Sequence, residues 1–509
     1  MTSKEERNSL VPINLLPLDI LLLISTHLTS LRDRLRVTFV CRHWRQAFLQ
    51  HAQLWSQLTL TKTTDRLFLT TFLERAKQFP LDITLRYSWS PIQDVILLFP
   101  FAQQIATLIV GNACQADIQN LSVVLSGPLP LLRTLSIEDP GYAHHSRPPF
   151  DPKSPLFSGA VNVRKLTLHV CHSSFFSQLA FQNLTTLDFL GMSDDYPVSQ
   201  LLDFLEASPS LQKIKIIIDG RISQEDVPLD RVLVLPCVKE FLLTFPNNSR
   251  GWELPTHLSC PSATRVHFRL QRGHHGLIIY NSREDIYPLS LPWSAIVHQY
   301  TMGNVDEVQL KFRTDKVISC SVAFFSLSHK STLVLHCDHS IEPISHRGTA
   351  FGRRAAPEIF SGASRIIRDH PWVGNIRHLY IQGGDFLMGD LELTANDVGK
   401  LLGSLGSLER LCLDKCDLRP YLDPFLETPL CPNAIRPTSF PPIKEFTIIS
   451  PGQSLRDDEA YAAAIVELAK SQHARGIPFE RVTIRTLVPF WVAQELLLSV
   501  NIVECREVF

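Results

Sequence analysis

One short pattern recurs along most of this chain: apolar-x-x-apolar-x-apolar. It appears as Ile105/Leu108/Val110, Leu132/Leu135/Ile137, Val163/Leu166/Leu168, Leu184/Leu187/Phe189, Leu211/Ile214/Ile216 and Val238/Phe241/Leu243. Further copies are Ala263/Val266/Phe268, Val305/Val308/Leu310, Ile376/Leu379/Ile381, Leu408/Leu411/Leu413, Ile443/Phe446/Ile448 and Phe479/Val482/Ile484. Weaker copies lie at Trp55/Leu58/Leu60, Pro80/Ile83/Leu85 and Lys330/Leu333/Leu335. The copies start about 20 to 45 residues apart, several near 25 to 27, a period that marks stacked structural repeats. Alternation within each copy is that of a short strand with one face on a core.

Helical stretches fall between several of these strands. VSQLLDFLEAS carries Val198, Leu201, Leu202 and Leu205 on one face. DRLFLTTFLERAKQ carries Leu67, Phe72, Leu73 and Ala76, and DDEAYAAAIVELAKSQ carries Ala462, Ile465, Val466 and Ala469. The pattern resembles a degenerate leucine-rich repeat, which implies an α/β solenoid lined by a parallel sheet. An ordinary α/β domain is the alternative reading, but no glycine-rich phosphate loop marks a doubly wound sheet. Three proline-rich interruptions, Glu138–Gly159, roughly Ser340–Asn375 and Asp417–Pro442, read as edge loops.

The front of the chain is different. Residues 13–58 read as three short helices. The first follows Leu16–Pro17, where a missing N–H costs nothing. Ile20, Leu21, Leu22, Leu23, Ile24 and Leu28 make it apolar almost all round, whereas a surface helix needs one stripe. Ser30 with Asp33 opens the second helix, and Leu31, Leu35, Phe39 and Val40 are its expected buried face. Trp44, Ala47 and Phe48 share one face of the third. Three large side chains left uncovered would forgo about 5–9 kcal/mol of burial. Either the rest of the chain or a partner protein covers that face.

The ordered set Leu16–Pro17, Ile20, Leu23, Ile24, Leu28, Leu35, Val40–Cys41–Arg42, Trp44 and Leu54–Trp55 resembles the F-box. The segment RDRLRVTF departs from the pattern, with Val37 and Thr38 in place of better helix formers. The resemblance implies docking to a Skp-family adaptor and, through it, to a cullin–RING ubiquitin ligase. Leu16, Pro17, Ile20, Leu23, Ile24, Leu28, Leu35, Val40, Cys41 and Trp44 would form or support that interface. The array, residues 59–509, would then hold an unknown protein substrate. The expected fold class is therefore α+α/β: a three-helix F-box followed by an irregular leucine-rich-repeat-like solenoid.

No chemistry of its own is expected of the chain. His336, Cys337 and His339, or His169, Cys171 and His172, offer at most two ligands on one strand face, and zinc needs about four. GHHGL and RGTAFGRRAA lack the strand–loop–helix context of a phosphate cradle, and no G-x-S-x-G elbow is present. Cys41, at the end of an apolar helix, reads as inert filling. No metal, cofactor or catalytic residue is therefore expected. Arg32, Arg34, Arg36, Arg42 and Arg45 raise a DNA-binding alternative. Trp44, Ala47 and Phe48 leave few positions to read bases, and a net charge of −1 adds no basic face.

The eleven cysteines are scattered singly, which fits reduced thiols of the cytosol or nucleus. The N-terminal apolar run is interrupted by Pro17 and Asp19 and followed by Arg32, Asp33 and Arg34, unlike a signal peptide. No window is long and apolar enough for a membrane span.

Overall fold

The computed structural model describes residues 11–12, 16–28, 31–60, 66–86, 96–111, 121, 127–138, 157, 159–170, 181–191, 195–218, 221–223, 231–246, 250–271, 307–313, 317–326, 331–340, 360–361, 363–365, 367–368, 373–383, 391–414, 419–422, 441–449 and 459–508. The chain divides into two compact units, Met1–Val227 and Pro228–Phe509. Most of the three proline-rich interruptions, and Ser30, lie outside the described residues.

The first unit opens with three helices, α1 (Leu18–Thr26), α2 (Leu31–Val37) and α3 (Arg42–Gln50). Then come β1 (Gln57–Leu60), α4 (Arg66–Ala76), β2 (Leu81–Arg86), β3 (Ile105–Gly111), β4 (Thr134–Glu138), β5 (Lys165–Val170), β6 (Thr186–Gly191), α5 (Val198–Glu206) and β7 (Lys213–Ile218). The strands pair in parallel, each with the next along the chain. Register aligns the recurring apolar positions across the sheet. Leu108, Leu135, Leu166, Leu187 and Ile214 form one row, and Val110, Ile137, Leu168, Phe189 and Ile216 the next. Both rows are fully buried. Each such side chain stabilises the fold by about 1.5–3 kcal/mol relative to exposure.

The approach to each strand is fixed as well. The amides of Arg164, Thr185 and Gln212 each donate at 2.8 Å to the carbonyl of the corresponding residue one strand earlier. Asn162 and Asn183 add side-chain bonds to the carbonyls of Pro130 and Val161. At one turn the backbones touch: a Cβ on Gly159 would clash with the Gly127 carbonyl, lying 2.8 Å from its carbon.

The second unit holds β8 (Glu240–Pro246), β9 (Arg265–Gln271), β10 (Glu307–Arg313), β11 (Val317–Ser326), β12 (Ser331–Ser340), β13 (His378–Gln382), α6 (Leu391–Ser404), β14 (Arg410–Asp414), β15 (Glu445–Ile449), α7 (Glu459–Ala474), β16 (Arg481–Val488), α8 (Phe490–Leu497) and β17 (Ile502–Val508). Here the repeat order breaks. β9 pairs in parallel with β12, β12 and β10 flank the antiparallel β11, and β10 pairs in parallel with β13. From β13 to β17 the strands again follow chain order in parallel. The pattern locates β10 and β12 but misses β11 and the reversal between them. A meander has the same alternation as its neighbours, so no local signal encodes its order.

The helical readings hold in position. Val198, Leu201, Leu202 and Leu205 are buried in α5, and Ala462, Ile465, Val466 and Ala469 in α7. In α4 one face is corrected: Leu67 is exposed, and Leu69 is buried beside Phe72, Leu73 and Ala76. No helix among the described residues is long and apolar enough to cross a membrane.

Candidate docking surface

Pro17 stands one residue ahead of α1. Its carbonyl accepts the first helical amides, from Ile20 at 3.0 Å and Leu21 at 3.1 Å. α1 then divides its apolar residues. Leu21 is fully buried and anchors the helix. Leu16, Leu22, Ile24 and Leu28 are half-buried. Leu18, Ile20 and Leu23 are exposed, Leu23 at 58%. Ile20 and Leu23, three apart, share one open face.

α3 is held from inside. Trp44, Ala47 and Phe48 are buried, and the Trp44 and Phe48 rings stack at 5.8 Å. Beyond it, the Trp55 indole donates to the Phe48 carbonyl at 2.9 Å. Its ring meets Phe72 of α4 edge-on at 5.5 Å, with the Arg75 guanidinium 4.8 Å above it. Trp55 thus joins the helical front to the first strand–helix layer through one shared core.

Two expectations about the second helix are corrected. Phe39 is 73% exposed and Val40 54% exposed, so neither belongs to a buried face of α2; the Phe39 ring lies under the Arg45 guanidinium of α3, at 6.0 Å. The chain leaves the helix through a turn at Thr38–Val40, which carries both side chains outward. Thr38 closes that turn with a hydroxyl bond to the Leu35 carbonyl, 2.7 Å. Leu35 and Cys41 are half-buried.

The arginines do not form a single basic face. Arg34 is buried, and burial pushes its guanidinium down from the ordinary value. It donates to the Leu28 carbonyl (2.8 Å), the Leu54 carbonyl (3.1 Å) and Gln57 Oε1 (2.6 Å). These bonds tie the end of α1, the turn before β1 and β1 itself to one side chain. Arg36 pairs with Asp33 at the surface, and Arg45 donates to the Thr38 carbonyl. Sequence reasoning missed the Arg34 hub because two of its three acceptors are backbone carbonyls, 6 and 20 residues away.

Beside α1 lies an open cleft of about 460 Å³, lined by Asp19, Leu22, Leu23, Arg34, Phe79 and Asp82 among others. The helix is therefore anchored at Leu21 without being sealed along its length. Among the described residues no group of three metal-ligating side chains converges. His336, Cys337 and His339 fall within β12, and their side chains lie outside the described residues.

What this front offers is an exposed apolar face beside a buried anchor. Residues 13–61 match the family model described as F-box-like, a span that includes all of α1–α3 and β1. The front of the chain is therefore an F-box-like domain. It has a part in F-box-mediated protein interaction, and F-box domains in general bind Skp-family adaptors. No curated protein matches the chain.

Proposed function

We propose that this protein is a non-catalytic substrate-recognition subunit of a cullin–RING ubiquitin ligase of the cytosol or nucleus. Its F-box docks a Skp-family adaptor. The strand–helix layers behind it form a leucine-rich-repeat-like solenoid that holds a target protein. Catalysis in this scheme is proximity, supplied by holding the target's lysines near a partner-borne ubiquitin-conjugating enzyme.

The observation that carries the reading is the exposure of Leu18, Ile20, Leu23, Phe39 and Val40 around a buried anchor of Leu21, Trp44 and Phe48. Of these, Ile20 and Leu23 share one open face, and an exposed apolar face marks an interaction site. A second reading, that the helices only cap the array, draws on the Arg34 bonds and on Leu21. The open cleft beside Leu22 and Leu23 speaks against a sealed cap. Co-expression with a Skp-family adaptor separates the two. The wild-type chain co-purifies with it, and Leu16→Ala with Pro17→Ala abolishes the complex while the far-UV spectrum is kept. Absence of any wild-type complex leaves the cap reading standing.

A further inference from the structure

Where β13–β16 begin, two successive residues of each strand stand beside their equivalents on the next, and their charges alternate. One row reads Arg377, Glu409, Lys444, Glu480, and the other His378, Arg410, Glu445, Arg481. Cross-strand pairs neutralise both rows. Arg410 meets Glu445 at 2.9 Å, and Lys444 meets Glu409 at 3.7 Å. This part of the second unit offers little net charge to a partner.

Where β3–β7 begin, in the first unit, the same two rows hold no carboxylate. One reads Ala106, Arg133, Arg164, Thr185, Gln212, each amide bonded at 2.8 Å to the carbonyl one strand earlier. The other reads Thr107, Thr134, Lys165, Thr186, Lys213. Arg133, Arg164 and Lys165 are exposed, and among the described residues none of the three is in an ion pair. Lys213 has contacts of its own and is not counted with them. Neighbouring strands lie about 4.8 Å apart. The backbone bonds therefore hold three like charges together, and like charges this close repel. Further along the strands, Asp188 is engaged by Lys215 at 3.0 Å, and Glu138 closes the far end of β4.

We propose that this strip, Arg133, Arg164 and Lys165 with Thr134 and Thr186 beside them, grips an acidic segment of the target protein. This inference rests on the reading of the array as the part that holds a target, and names the target's chemistry. Arginine binds a carboxylate through paired N–H donors, and the threonine hydroxyls can bond the backbone of an extended segment. The contrast between the units carries the argument. Equivalent strand positions are neutralised within the chain in the second unit, whereas in the first the matching carboxylates have to come from another chain. A nucleic acid fits less well. No aromatic ring stands in either row, and single strands are held by stacking on such rings.

Fluorescence anisotropy of a labelled peptide of alternating glutamate and glycine, titrated with the full chain, tests it. The glutamate peptide binds, its glutamine counterpart does not, and added salt weakens the complex. Arg133→Gln with Arg164→Gln and Lys165→Gln weakens binding by about tenfold or more. The charge-matched control, Arg377→Gln with Lys444→Gln and Arg481→Gln, leaves it unchanged. All six positions are exposed, so both variants keep the wild-type melting temperature. Failure of the wild type to bind the glutamate peptide overturns the proposal. An equal loss in the control, or tighter binding of a single-stranded oligonucleotide of equal charge, overturns it as well. Adaptor co-purification from the same preparations separates the two readings. A chain that binds the adaptor and ignores the peptide fails this inference alone; one that binds the peptide without the adaptor fails the ligase reading and keeps the strip.

Discussion

Replacing Arg34 by methionine removes the guanidinium while keeping a stem of similar bulk. Three acceptors lose their donor: the carbonyls of Leu28 and Leu54 and the side chain of Gln57. The Leu54 bond is the buried one, and an unsatisfied buried acceptor costs about 1–3 kcal/mol. The other two are partly exposed and regain water. Relief of guanidinium desolvation offsets part of the loss, consistent with the lowered pKa. A net loss of about 1–2 kcal/mol remains, roughly 5- to 30-fold in an opening equilibrium. Native-state amide exchange over 18–28 and 50–58 reads that equilibrium locally, without assuming that the whole chain unfolds as one unit. Arg36→Met is the matched control. Its partner Asp33 is at the surface, so the expected change is below about 1 kcal/mol. Equal protection in the two variants, or a gain with Arg34→Met, would refute the hub.

Four further outcomes are expected. Trp44→Phe changes thermal stability less than Trp55→Phe does. The Trp44 indole N–H has no hydrogen-bond partner among the described residues, whereas that of Trp55 holds the Phe48 carbonyl; the difference is about 1 kcal/mol, read by denaturant titration. Leu187→Ala, at the centre of a buried row, costs about 3–5 kcal/mol and lowers the folded yield; a loss below about 1 kcal/mol contradicts the stacked register. Gly159→Ala destabilises the turn by more than the gain from restricting the unfolded chain, because the Cβ meets the Gly127 backbone; a melting temperature at or above wild type contradicts that close approach.

The Cys260 thiol is pushed up to about 12 by burial, from an ordinary 9.0. It resists maleimide under native conditions near neutral pH while the exposed Cys237 reacts. The unfolded thiol releases its proton first, so between those two values stability falls as pH rises, by up to about 1.4 kcal/mol per unit. Rapid native labelling of Cys260 would sink this assignment.

Much of the strand framework is legible in the sequence because three apolar positions per strand must all face one core. Leu135, Leu166 and Leu187 align in register as their spacing implies. The copy Val500/Val503/Cys505, which leads into β17, escapes notice because a cysteine fills its third position. Leu67 misleads because it is apolar yet lies about 120–180° around the helix from Phe72, Leu73 and Ala76, so the period itself excludes it from their face. Of the candidate site, the anchor Trp44 follows from local pattern, whereas which side of the all-round apolar α1 stays open does not. Exposure of Phe39 and Val40 does not, since it depends on where the helix ends. The role of Arg34 is decided by partners across three elements, which no local window contains.

The central claim is that the exposed face of α1 docks an adaptor. Titration calorimetry of the full chain with a purified Skp-family adaptor measures it directly. The account predicts specific binding, lost on Leu23→Asp with Ile20→Asp, with the helical signal intact because both side chains are already in water. Binding that is absent in the wild type, or unchanged in the variant, would contradict it.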